Sequence, residues 1–159
     1  MTITAHVCVG AAVGLATQNP TLGFFAGFAS HHIIDGIPHS DVGSLGANIQ
    51  DIFSPQNSRA LAFVEGDIIL CVLIFALVLI RSNFSPVMFW AMFGAALPDI
   101  IDNSPFWSLR LRKILPFSWY HKLHEVVHFT IKSQKCFWAG IMTQIIIVLA
   151  ALYFLVVVG

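Results

Sequence analysis

Three groups of imidazoles and carboxylates in this chain have spacings that could do chemistry. His31 and Asp35 are one helical turn apart, with His32 beside them, so an imidazole and a carboxylate share a helix face and make half of a metal site. Asp99 and Asp102 close an apolar run. Two carboxylates there meet the negative end of a helix dipole and call for a cation or a bound metal to offset them. His121, His124 and His128 fall on one stripe if residues 120–132 are helical, and they contain a literal H-E-x-x-H, His124-Glu125-Val126-Val127-His128. In metallopeptidases that pattern supplies two zinc ligands and a glutamate base. Glu125, however, lies about 100° around a helix from His124. His6 and Asp67 complete the candidate ligands, and Asp35, Asp67 and Glu125 are the candidate general bases. Nitrogen and oxygen donors without a thiolate suit zinc, manganese or iron better than copper(I). His39, Asp41, Asp51 and His121 read as interfacial groups turned towards water.

The elements that must position these residues are apolar. Residues 7–30, 68–80, 82–98 and 136–159 contain no Asp, Glu, Lys, Arg or His. Charged residues make up 10% of the chain and mean hydropathy is +0.82, against about 25% charged in soluble domains. The membrane class follows. A formal net charge of zero leaves no basic signal for nucleic acid. Cys8, Cys71 and Cys136 lie in or beside apolar runs, are odd in number and read as small packing residues. The N-terminus lacks a basic leader, so the first helix is expected to stay in the mature protein.

Five embedded helices are expected, over 3–17, 21–36, 61–80, 85–102 and 136–158, with a short interfacial helix over 120–132 in one domain. Gly10 and Gly14, like Gly23 and Gly27, have the spacing that lets helices approach closely in lipid. Crossing the membrane in sequence would bring His6 and the loops at 37–58 and 103–119 to one side. Seven of the eight Lys and Arg residues lie on that side, all but Arg81, which makes it cytoplasmic and places the C-terminus outside. Residues 27–38 also align with 94–105 as a weak repeat that superposes His32 on Asp99 and Asp35 on Asp102.

At these residues the chain resembles a family. The N-terminal A-H-V-C-V-G, the run G-F-A-S-H-H-I-I-D-G-I-P-H-S-D, G-A-A-L-P-D and the late H-E-V-V-H-F are similar to small bacterial integral membrane proteins near the membrane-bound metal-dependent hydrolases. The most specific part is S-H-x-x-x-D-x-x-P-H at Ser30, His31, Asp35, Pro38 and His39. The family's leading His corresponds to His6, its L-P-D to Asp99 and its late His pair to His124 and His128, whereas Glu125 is not a fixed feature. The resemblance implies an inner-membrane protein with a divalent metal.

The function expected from all of this is metal-assisted hydrolysis of a lipid ester or phosphoester at the cytoplasmic interface. The metal ligands would be His6, His31, Asp35, Asp99, His124 and His128, with Asp67 as ligand or support. Arg110, Arg112 and Lys113 would face an anionic headgroup or simply anchor the chain. The alternatives are a metal-binding or metal-transport membrane protein and an H-E-x-x-H protease.

Overall fold

A computed structural model describes residues 1–158; Gly159, the end of the last apolar run, lies outside them. The described residues form seven α-helices: α1 (Ile3–Thr17), α2 (Pro20–Asp35), α3 (Ser58–Arg81), α4 (Pro86–Asp102), α5 (Ser108–Leu111), α6 (Phe117–Val127) and α7 (Phe137–Val158). They contain no β-strand, only one isolated parallel bridge between His39 and Thr130.

The helix starts follow from local chemistry. Asn19 Oδ1 accepts from Leu22 N at 3.0 Å and Pro20 occupies the first turn, so α2 begins where its free N–H groups are met. α1 has no cap of its own; the Asp67 carboxylate of α3 accepts from Ile3 N at 2.7 Å and Thr4 N at 3.1 Å. Pro86 opens α4, and Pro98 inside it leaves the Gly94 carbonyl without its helical donor.

The centre of the bundle is α1, α2 and α4, and small residues let their backbones meet there. A methyl group on Gly10 would come 2.8 Å from Ala95 Cβ, and one on Gly27 would clash with the Ala91 carbonyl. One on Gly94 would clash with the Phe24 carbonyl. Gly27 and Gly94 are equivalent in the internal repeat, and Phe24 and Ala91 stand three residues before each. The α2–α4 crossing is therefore close to two-fold symmetric, backbone against backbone. Both helices end at the same end of the bundle, where Asp35 and Asp102 reach one imidazole, that of His124.

α3 and α7 flank this centre. With their leading turns they run over Pro55–Arg81 and Gln134–Val158, and these two are long and apolar enough to cross a membrane. Their apolar side chains are mostly exposed, including Ile69, Val72, Leu73 and Leu77 on α3 and Ile146, Leu149 and Tyr153 on α7. α1, α2 and α4 have 15, 16 and 17 residues, short of the roughly 20 that span a bilayer. Length thus singles out two candidate spans where the sequence suggested five embedded helices. The expected helix over 120–132 is shorter than its stripe suggested: α6 stops at Val127 and His128 turns extended, with φ −88° and ψ 111°.

Candidate metal centre

The ends of α1, α2, α4 and α6 bring polar groups together in an otherwise apolar bundle. Asp35, at the end of α2, is fully buried and central. Its Oδ2 lies 3.0 Å from His31 Nε2, 3.1 Å from His124 Nε2 and 3.8 Å from His128 Nε2. Its Oδ1 lies 3.2 Å from His6 Nε2, 4.0 Å from His39 Nε2 and 2.6 Å from the Met1 amino group. Asp99 stands on the far side of His6 and His31, at 3.8 and 3.9 Å. His31 Nε2 and His124 Nε2 are 3.2 Å apart, and His39 Nε2 and His128 Nε2 are 3.3 Å apart.

Four of these imidazoles are held from behind. His31 Nδ1 donates to the Ala95 carbonyl at 2.8 Å, one residue along from the carbonyl freed by Pro98. His39 Nδ1 donates to the Ile37 carbonyl at 2.8 Å. His124 Nδ1 donates to Asp102 Oδ2 at 3.1 Å. The Thr130 hydroxyl donates to Asp41 Oδ2 at 2.6 Å, so it accepts from His128 Nδ1 at 3.0 Å. With the tautomers assigned by these partners, every Nε2 points at the Asp35 carboxylate. Backing of this kind is how proteins orient imidazole ligands. His6 is fully buried, stacked on His31 with ring centroids 3.7 Å apart, and neither of its nitrogens has a hydrogen-bond partner among the described residues. Its Nε2 is near Asp35 but out of line for a hydrogen bond. A buried polar atom left in that state is costly unless something else binds it.

These donors fit a divalent metal. Ligand atoms about 2.1 Å from a tetrahedral zinc lie roughly 3.4 Å from one another, close to the spacings around Asp35. Positive charge is already drawn into the cluster. Burial disfavours the His124 cation, but hydrogen bonds to Asp102 and Asp35 outweigh it and push its pKa up to about 9. Burial and then the nearby amino group push His128 down to about 4 and lower His39 as well.

The local structure explains how distant segments meet. After α2 the chain runs extended through His39, beside residues 128–131. Phe129 N donates to the Asp35 carbonyl, His39 N to the Phe129 carbonyl and Ile131 N to the His39 carbonyl, at 2.8, 3.2 and 2.8 Å. This splice sets His128 opposite His39. Behind it, buried Gln144 of α7 donates to the Ser40 carbonyl at 2.7 Å and accepts from Thr2 N at 2.7 Å. Gly140 packs directly on the His39–Ser40 backbone.

Six of the residues expected as ligands, His6, His31, Asp35, Asp99, His124 and His128, gather here. Asp67 does not join them, because its carboxylate is occupied in capping α1. Glu125 is exposed at the rim of the cavity beside the cluster, and among the described residues its carboxylate pairs with His121 Nε2 alone, at 3.5 Å. His39, expected at the surface, is fully buried, and Asp41 lies 4.0 Å from it and 3.7 Å from His128. Asp102 is a supporting residue: spacing paired it with Asp99 but left it out of the ligand set, and the repeat, which makes it the equivalent of Asp35, was a second signal. Arg112 does not face a headgroup freely, since its Nε donates to Asp102 Oδ1 at 2.9 Å.

The cluster opens on a cavity of about 1020 Å³. Its lining includes Asp99, Asp102, His121, His124 and His128 together with the apolar Ile49, Ile52, Phe53, Leu61 and Val64. Comparison with family models, with curated proteins and with solved structures finds no match to this chain.

Proposed function

We propose that the protein is an integral membrane, metal-dependent hydrolase of a lipid-borne ester or phosphoester. In this reading α1, α2 and α4 are embedded alongside α3 and α7, and the cluster lies at the cytoplasmic face of a bacterial inner membrane. The observation that carries the reading is a buried set of inward-aimed imidazoles around Asp35 at the wall of a half-apolar cavity. The family resemblance at His6, His31, Asp35, Asp99, His124 and His128 points the same way.

A divalent metal, zinc or else manganese or iron, would polarise the scissile group and acidify water when bound. The chain's own part is to hold and to shield. His31, His124 and Asp35 present their donors on a fixed frame, and His6 and Asp99 close the side towards α1 and α4. The apolar lining of Ile49, Ile52 and Leu61 suits an acyl chain and excludes water from its part of the cavity. His121, with Nδ1 tied to Asp102 at 2.9 Å, lines the same cavity and is placed to carry a proton to a leaving group.

The exposure of Glu125 and the extended backbone at His128 weigh against an H-E-x-x-H protease. Transport is disfavoured because the ligands gather at one end of the bundle, while residues 68–80 and 136–158 offer no Asp, Glu, Lys, Arg or His along its length. The test is elemental analysis of detergent-purified protein, followed by assays on lipid esters and phosphoesters. Bound metal with turnover lost to a chelator and restored by zinc or manganese is expected; metal-free protein, or turnover indifferent to chelation, overturns the reading.

A further inference from the structure

We propose that the cluster holds two cations rather than one, with Asp35 shared between them and His39 belonging to the second. The inference rests on the metal-centre reading above and goes beyond it in number and in residues. Eight donor side chains meet here, whereas a structural or catalytic zinc takes about four ligands. Six of them form two triads with no common member, and the other two, Asp35 and His124, make a further group with His128. His6, His31 and Asp99 form one, and His39, Asp41 and His128 form the other; within each, the donor atoms lie within 4.8 Å of one another. Asp35 stands between the triads and approaches both with each oxygen. Oδ1 is 3.2 Å from His6 and 4.0 Å from His39, and Oδ2 is 3.0 Å from His31 and 3.8 Å from His128.

The second triad carries its own evidence. His39 and His128 each give their Nδ1 hydrogen to a neighbour, so neither has a hydrogen left on Nε2. The two Nε2 lone pairs face each other across 3.3 Å, with His39 fully buried. Two acceptors in that position repel unless a cation lies between them. The Met1 amino group, 3.2 Å from His128 Nε2 and 2.6 Å from Asp35, supplies positive charge in this half of the cluster, and a metal held by His39 and His128 would displace it. The Thr130 hydroxyl, shared between His128 and Asp41, fixes these two ligands relative to each other.

The experiment is metal titration of the full chain in detergent, with Mn²⁺ followed by electron paramagnetic resonance and Zn²⁺ by elemental analysis. Two equivalents per chain are expected in the wild type. A spin-coupled Mn²⁺ pair should appear as the second equivalent binds, a signature that needs no variant. His39→Ala should retain one equivalent and lose the coupled signal, and so should His6→Ala from the other side. One equivalent in the wild type, without coupling, overturns the pair and leaves a single-metal centre standing. Two equivalents in His39→Ala overturn the assignment of His39. No bound metal in the wild type removes the pair and the metal centre together.

Discussion

At the scale of single residues, the central group is Asp35. Its two oxygens are approached by every imidazole of the cluster, so Asp35→Asn removes the one charge they share. Loss of bound metal and of turnover is expected, read by elemental analysis and by the lipid assays. Glu125→Gln should keep both, since among the described residues the Glu125 carboxylate pairs with His121 and none of the ligands; turnover abolished with metal retained would restore the protease. Asp102 acts through His124, holding its Nδ1 while Nε2 faces the cluster. Asp102→Asn is expected to weaken metal affinity about 10–100-fold, the usual cost of losing an outer partner. An unchanged metal dissociation constant would show that His124 needs no such support. Much of this site was legible from spacing, because His31 with Asp35 and Asp99 with Asp102 carry their helical period openly. His39 was not legible as a ligand. It follows α2 after a proline, where no period predicts direction, and only its place in the S-H-x-x-x-D-x-x-P-H pattern marked it.

At the scale of elements, the paired extended segments after α2 and α6 do what a helix stripe was expected to do. The spacing of His121, His124 and His128 suggests a continuous helix, yet the chain leaves the helix at His128 to pair with His39. That pairing is long-range and has no local signature. α7 holds the splice in place through Gly140, where an added methyl group would lie 2.8 Å from the His39 carbonyl carbon and overlap Ser40. Gly140→Ala should therefore push α7 off this backbone, at a cost of about 1–3 kcal/mol. Thermal unfolding in detergent would show it, and an unchanged midpoint would mean that α7 is not wedged there. Gly27→Ala should act similarly at the α2–α4 crossing.

At the scale of the whole molecule, the helix directions put Met1 and the loops at 36–57 and 103–136 at one end of the bundle. The far end carries Arg81 and the end of α7. If all five long helices are embedded, a reporter within 43–50 and one fused after the C-terminus should lie on opposite sides of the membrane. The same side for both would sink the five-crossing arrangement. The all-helical class was readable from the apolar runs, but the number of spans was not, because α1, α2 and α4 fall between a core helix and a spanning helix in length. The symmetry of the α2–α4 crossing bears on how this chain can change over time. Asp35 and Asp102 are set relative to each other by helices in main-chain contact at Gly27 and Gly94, where no side chain can be inserted without parting them. Mutations on the outer apolar faces of α3 and α7 can then accumulate, fitting the chain to bilayers of different thickness and lipid, while the chemistry at the bundle end stays in register. Variation should run high on those two faces and almost vanish at two glycines that touch no ligand.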